Sequence, residues 1–243
     1  MNVRATWILS GLLALALVPS SLVAQDGWTF RGTAEAGVFR STRDLGKNVG
    51  DLQEFEILQV RARMEPATVY GGGVEAVAPD GRTMFRVLFR GTFNGTATGS
   101  VPVCDLFEQT SSDCDPRVVD ATMASFLGEV VFLQGTPGDK LRQNFIIGAG
   151  LRSYQFTADA CDPDVTNPVL YQICELILPI YEDQSPVQPF AEFGFGLMYG
   201  TGPIDAFVRV LGIVGSYQGG SGSAEGGYQT DVTLVGGLSF RVR

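Results

Sequence analysis

Phe85-Arg86-Val87-Leu88-Phe89-Arg90-Gly91-Thr92-Phe93-Asn94, residues 85–94, separates into two faces. One parity holds Phe85, Val87, Phe89, Gly91 and Phe93, and the other holds Arg86, Leu88, Arg90, Thr92 and Asn94. A period of two belongs to a β-strand, whose successive side chains leave opposite faces of the backbone. The stretch is the centre of a longer alternating segment, 83–96. The same alternation returns over 28–40, 67–78, 119–134, 140–157, 188–200, 204–216 and 228–242.

The connections alternate in length. Pro79-Asp80-Gly81, Gly135-Thr136-Pro137-Gly138-Asp139 and Gly200-Thr201-Gly202-Pro203 are short and carry turn residues. Between them lie long segments, 41–66, 97–118, 158–187 and 216–227. This rhythm predicts an all-β, eight-stranded antiparallel up-and-down barrel with four long loops at one end and three tight turns at the other. No composition break suggests a second domain. The second strand starts either near Phe55 or near Ala67. In the earlier start, Leu58, Val60, Ala62 and Met64 share the apolar parity of Tyr70, Gly72 and Val74, and the strand passes through a bulge at Pro66.

Each charge in the strand cores falls on the polar parity. The acids are Glu35, Glu75, Glu129, Glu192, Asp205 and Asp231; the bases are Arg31, Arg86, Arg90, Arg142, Arg152, Arg209 and Arg241. Alternation allows two barrels: a soluble lipocalin-like carrier with its apolar face inward, or a membrane barrel with its apolar face in lipid. Three features favour the membrane. Glycines crowd the polar parity, as a narrow bore requires. Acids and bases nearly balance there, which an enclosed lumen demands and a wet surface does not. Trp28, Tyr70 and Tyr199 gather near strand ends, and the lipocalin Gly-x-Trp signature is absent because Gly27 directly precedes Trp28.

From its eight alternating segments, its loop rhythm and the terminal strand Val232-Thr233-Leu234-Val235-Gly236-Gly237-Leu238-Ser239-Phe240-Arg241-Val242-Arg243, the chain resembles bacterial outer-membrane β-barrels, the small OmpA/OmpX-type members especially. The resemblance covers residues 28–243. It implies a transmembrane β-barrel in the outer membrane, outer-membrane lipid and the barrel assembly machinery as partners, and a monomer. Such barrels usually finish on an aromatic residue, whereas this chain ends on Arg243.

Residues 1–24 carry one charge, Arg4, and an apolar run from Trp7 to Val18 that ends at Pro19-Ser20-Ser21. They read as a cleaved secretory signal peptide, leaving residues 25–243 as the barrel domain. No later stretch is long and apolar enough for a membrane helix. The composition closes other classes. A formal charge of −9 argues against a nucleic-acid partner. The absence of His removes the commonest catalytic base and transition-metal ligand. Outer-membrane enzymes of the resembled family rely on His, so the expectation is not an enzyme, with no catalytic residues, no cofactor and no metal. Gly71-Gly72-Gly73 lacks the helix and Lys of a phosphate cradle and is expected to relieve crowding.

The four cysteines fall in pairs within two long loops, Cys104 with Cys114 and Cys161 with Cys174, and an exported chain meets an oxidising compartment. Each pair is expected to staple its own loop. The third long loop is acidic, with Asp159, Asp162, Asp164, Glu175, Glu182 and Asp183. It is read as a solvated surface, lacking the spacing of a calcium loop. Within it Asn167 can cap a helix, Pro168 suits its first turn, Leu170, Ile173, Cys174 and Ile177 share a face, and Pro179 is the expected stop. That helix could lie on the barrel mouth or on the bilayer. The functional expectation is a structural and surface-display barrel whose stapled acidic loops serve envelope integrity or adhesion. The alternative is a small-molecule binder or narrow passage, including the soluble carrier. A luminal charge network of Arg31, Glu35, Glu75, Arg86, Arg90, Glu129, Arg152, Glu192, Asp205, Arg209, Asp231 and Arg241 is expected to fill the bore.

Overall fold

The computed structural model describes residues 27–52, 55–100, 117–159, 161, 168–181, 187–200, 203–218 and 225–241. The expected signal peptide, the Cys104/Cys114 pair and most of the acidic run lie outside them. Eight strands form a closed ring: β1 (Thr29–Ser41), β4 (Ala67–Val77), β5 (Thr83–Thr92), β7 (Arg117–Gln134), β8 (Leu141–Thr157), β9 (Gln188–Gly200), β10 (Ile204–Ser216) and β12 (Tyr228–Arg241). Each pairs antiparallel with both neighbours, and β12 returns to β1 with Arg31 opposite Arg241. The eight segments read from alternation are these eight strands.

The short turns follow from their acids. The Asp80 carboxylate accepts from the backbone N–H groups of Arg82 and Thr83 at 2.9 and 3.0 Å, which holds its carboxyl below the ordinary value, while Gly81 takes φ +64°. The Asp139 carboxylate accepts from the Thr136 N–H at 2.8 Å in the next turn.

At the other end the described residues of the long segments add regular structure. The first folds into a hairpin of β2 (Gly46–Leu52) and β3 (Phe55–Met64), and β5 continues into β6 (Gly95–Ser100). With β11 (Glu225–Gly226) these extend the wall in the order β11-β2-β3-β6-β7. So the chain on the second wall strand starts at Phe55, the earlier of the two expected positions, but its faces are not as expected. In β4 the odd residues Ala67, Val69 and Gly73 point inward; in β3 the even residues Val60, Ala62 and Met64 do, while Arg61 and Arg63 face out. One extra residue at Glu65-Pro66 inverts the faces, as a bulge must when side chains alternate. The adjacent strand does the same at the same height. Arg86, Leu88 and Arg90 point inward below, Gly95, Ala97 and Gly99 above, with exposed Phe93 and Asn94 between them and Asn94 at φ +58°. Below the two bulges the exterior is apolar; above them the interior is.

That upper interior is closed by α1 (Pro168–Tyr181), which packs on β2 and β3. Ile177, Ile180 and Tyr181 are buried with Phe39, Leu45, Val60, Met64, Ala97 and Met123 in one apolar cluster. The Asn48 amide donates to the Leu176 carbonyl at 2.9 Å, and the Tyr217 hydroxyl donates to the Ile180 carbonyl at 2.8 Å. The helix therefore sits in the mouth and not on the bilayer. It also runs two residues past Pro179, the expected stop. A proline in the last turn forfeits one backbone hydrogen bond, which the burial of Ile180 and Tyr181 offsets.

Cys161 and Cys174 are disulfide-bonded, tying the end of β8 to the first half of α1. Replacing both by Ser is expected to loosen the helix by at most about 3 kcal/mol and to leave the ring unchanged. Limited proteolysis should cut the 158–187 segment faster while the barrel core survives; an unchanged digestion rate would show that packing alone holds the helix.

Candidate functional site

The inward parity below the cap places charge at three heights. In the middle, two arginines from β5 meet carboxylates from four strands. Arg86 lies 2.8 Å from Glu75, 2.8 Å from Glu129 and 3.4 Å from Glu35. Arg90 lies 2.7 Å from Glu35, 2.6 Å from Glu192 and 3.2 Å from Glu129. The Ser239 hydroxyl donates to Glu75. Toward the short-turn end Arg31 pairs with Asp205, and Arg142 stands 3.9 Å from the same carboxylate. Toward the long-loop end Arg152 pairs with Asp231. All six acids and five of these arginines, Arg209 included, are buried; Arg142 is half-buried.

Each guanidinium presents a planar fork that two carboxylates can share, which is why arginine and not lysine occupies this belt. Room for the belt comes from glycine. A Cβ on Gly71 would stand 3.1 Å from the Glu35 Cγ, and one on Gly148 3.0 Å from the Glu129 Cγ. Phe207 offers its ring to two cations, with the Arg209 guanidinium 3.9 Å and that of Arg86 5.3 Å from its centroid.

Arg241 departs from the expected set. It keeps the inward parity but lies at the open lip of β12 and is exposed. Arg142, left out of that set, joins through Asp205. The aromatic cluster that Tyr154, Phe156 and Tyr217 form with Tyr181 of the helix was not anticipated. Its signal is the inward parity of Tyr154, Phe156 and Tyr217 at the upper ends of β8 and β10.

Outside, the wall is the reverse. Phe85, Val87, Phe89, Phe126, Phe145, Phe195, Val208, Leu234 and Leu238 are exposed, and Trp28 and Tyr199 at one end and Tyr70, Phe93 and Tyr228 at the other border that apolar band. Charge inside and large apolar side chains outside is the arrangement that hydrocarbon stabilises and water does not, and the closed ring leaves no backbone edge in lipid. The chain is a closed eight-stranded transmembrane-type β-barrel, apolar outside and charged within. A lipocalin-like carrier, with its apolar face inward, is excluded by the same pattern.

No protein-family model matches this barrel, and no curated protein does. Solved structures similar to it include Neisserial surface protein A, at 10% identity and a TM-score of 0.47, covering 89% of this chain and 100% of that one. The outer membrane protein OprG from Pseudomonas aeruginosa matches at 10% identity and 0.47, over 89% and 95% of the two chains. The outer membrane protease OmpT from Escherichia coli matches at 8% identity and 0.36, over 89% and 97%. The architecture of the barrel rests on its own strand pairing and burial, not on these likenesses.

Proposed function

We propose that this barrel is a non-enzymatic scaffold of the outer membrane, exported by its signal peptide, inserted as a monomer by the barrel assembly machinery, and used for the surface its loops present in envelope integrity or adhesion. One observation carries the reading: the bore is filled twice, by the ion-pair belt and by the apolar cap under α1. Arg86 and Arg90 have side chains at most 2% exposed, so the belt offers neither a continuous water path nor an accessible acid–base pair. Among the described residues, the hairpin face with Lys47, Arg61 and Arg63 reaches the exterior above the membrane.

The test is made on the purified protein. It should resist unfolding in unheated detergent and change its gel mobility after boiling, and in planar bilayers it should give little steady conductance. A large, stable, ion-selective current would replace the scaffold reading by a passage. Binding assays on cells displaying the barrel with and without residues 46–64 should show loss of contact with the binding surface; equal binding would remove the display role.

A further inference from the structure

Charge is unevenly shared along the bore. In the middle, Arg86 and Arg90 face four carboxylates, Glu35, Glu75, Glu129 and Glu192. Toward the short turns, Arg31 and Arg142 both converge on Asp205, and Arg209 adds a third cation. Arg209 is 1% exposed, and none of its three guanidinium nitrogens has a hydrogen-bond partner among the described residues. Its ring contact with Phe207 orients the group without neutralising it.

A second polar side chain is in the same position. Asn144 is 3% exposed, and neither atom of its amide has a partner among the described residues. Asn144 and Arg209 are both direct cross-strand neighbours of Gly196, Asn144 from β8 and Arg209 from β10. All three point inward, and the central one has no side chain. A Cβ there would stand 2.7 Å from the Arg209 Cγ. Two strand spacings separate the outer pair, about 10 Å at the backbone, a gap that the guanidinium and the amide can close from opposite sides onto one small group.

We propose that this level of the lumen is a binding site for a small monovalent anion of the halide class. The Arg209 fork and the Asn144 N–H₂ are its donors. Water could satisfy those N–H groups but would leave a buried cation uncompensated, and an anion does both. Access is from the short-turn end, where the Arg142 side chain is 13% exposed, against 0–2% for Arg86 and Arg90. The site rests on the closed bore described above and not on what the loops display. Failure of the display test leaves it standing, and its own failure leaves the display role standing.

Bromide is the probe, because it scatters anomalously. Crystals of the wild-type protein soaked in potassium bromide should show an anomalous peak between Arg209 and Asn144. In solution, bromide should raise the unfolding temperature over potassium gluconate at equal ionic strength, by about 3–5 °C once it exceeds its dissociation constant tenfold. Arg209→Met should abolish that difference. Should it fail to fold, Asn144→Leu should at least halve the difference. An empty position in the wild-type crystal, or the same bromide response in a folded Arg209→Met protein, overturns the proposal.

Discussion

Arg90→Ala should destabilise the folded barrel by about 3–5 kcal/mol, the range for stranding buried partners of a charge. Three carboxylates depend on Arg90. Glu35 and Glu129 keep Arg86, but Glu192 loses the guanidinium 2.6 Å from it. The loss is therefore mostly the penalty of a carboxylate left in a dry bore, and it follows that removing the acid as well should recover much of it. Arg90→Met combined with Glu192→Gln is expected to be more stable than Arg90→Ala alone. Lys47→Ala, which breaks the exposed 3.2 Å pair with Glu225, should change stability by about 0.5 kcal/mol or less. Urea unfolding in lipid vesicles, followed by tryptophan fluorescence, compares the three. An Arg90→Ala protein as stable as Lys47→Ala would mean that the belt is solvated and not packed.

Deleting Pro66 should have a larger and more localised effect. The extra residue at Glu65-Pro66 lets β4 face lipid with one parity and β3 face water with the other. Without it, Arg61 and Arg63 would turn onto Ile177 and Ile180, and Val60, Ala62 and Met64 would turn out. Burying two guanidiniums in an apolar cluster is far more costly than the hairpin can offset, so β2, β3 and α1 should release together. The pairing of β4 with β1 and β5 lies below the deletion and should persist. The expected result is a protein still shifted in mobility by boiling but cut at low protease concentration within 42–66 and 158–187. Wild-type resistance at those segments would refute the account of the bulge.

The sequence carried the membrane part of this fold because lipid imposes one rule along the whole of each strand. Phe85 to Phe93 alternates without a break for that reason, and so does Phe193 to Tyr199. Above the membrane the rule reverses, and parity alone does not record where. Leu58 to Met64 alternates as cleanly as Val74 to Ala76, yet the one-residue insertion between them puts matching parities on opposite sides of the wall. The mark was there, in a proline at 66 and an asparagine at 94, but each could also have been an ordinary loop residue. The helix was legible from Pro168 in its first turn and from its apolar spacing. Its end was not, because whether Pro179 stops it depends on what Ile180 and Tyr181 find to pack against. For the bore, parity brought the charged residues to one side, but which acid meets which arginine depends on the stagger between strands, and that follows only from the closed ring.

The pairing of Arg31 with Arg241 has a consequence in time. All the other strands of the ring lie between the two strands of that seam in the sequence. Its closing therefore waits for β12, and the entropy of so long a loop makes it a late event. Until then β1 and β10 each present a row of unpaired amides, and any other strand can occupy them. A chain that stops before Tyr228 would not be a barrel lacking one stave but a bent sheet with two adhesive borders. Arg241, at the rim of β12, is where that seam is completed against Arg31.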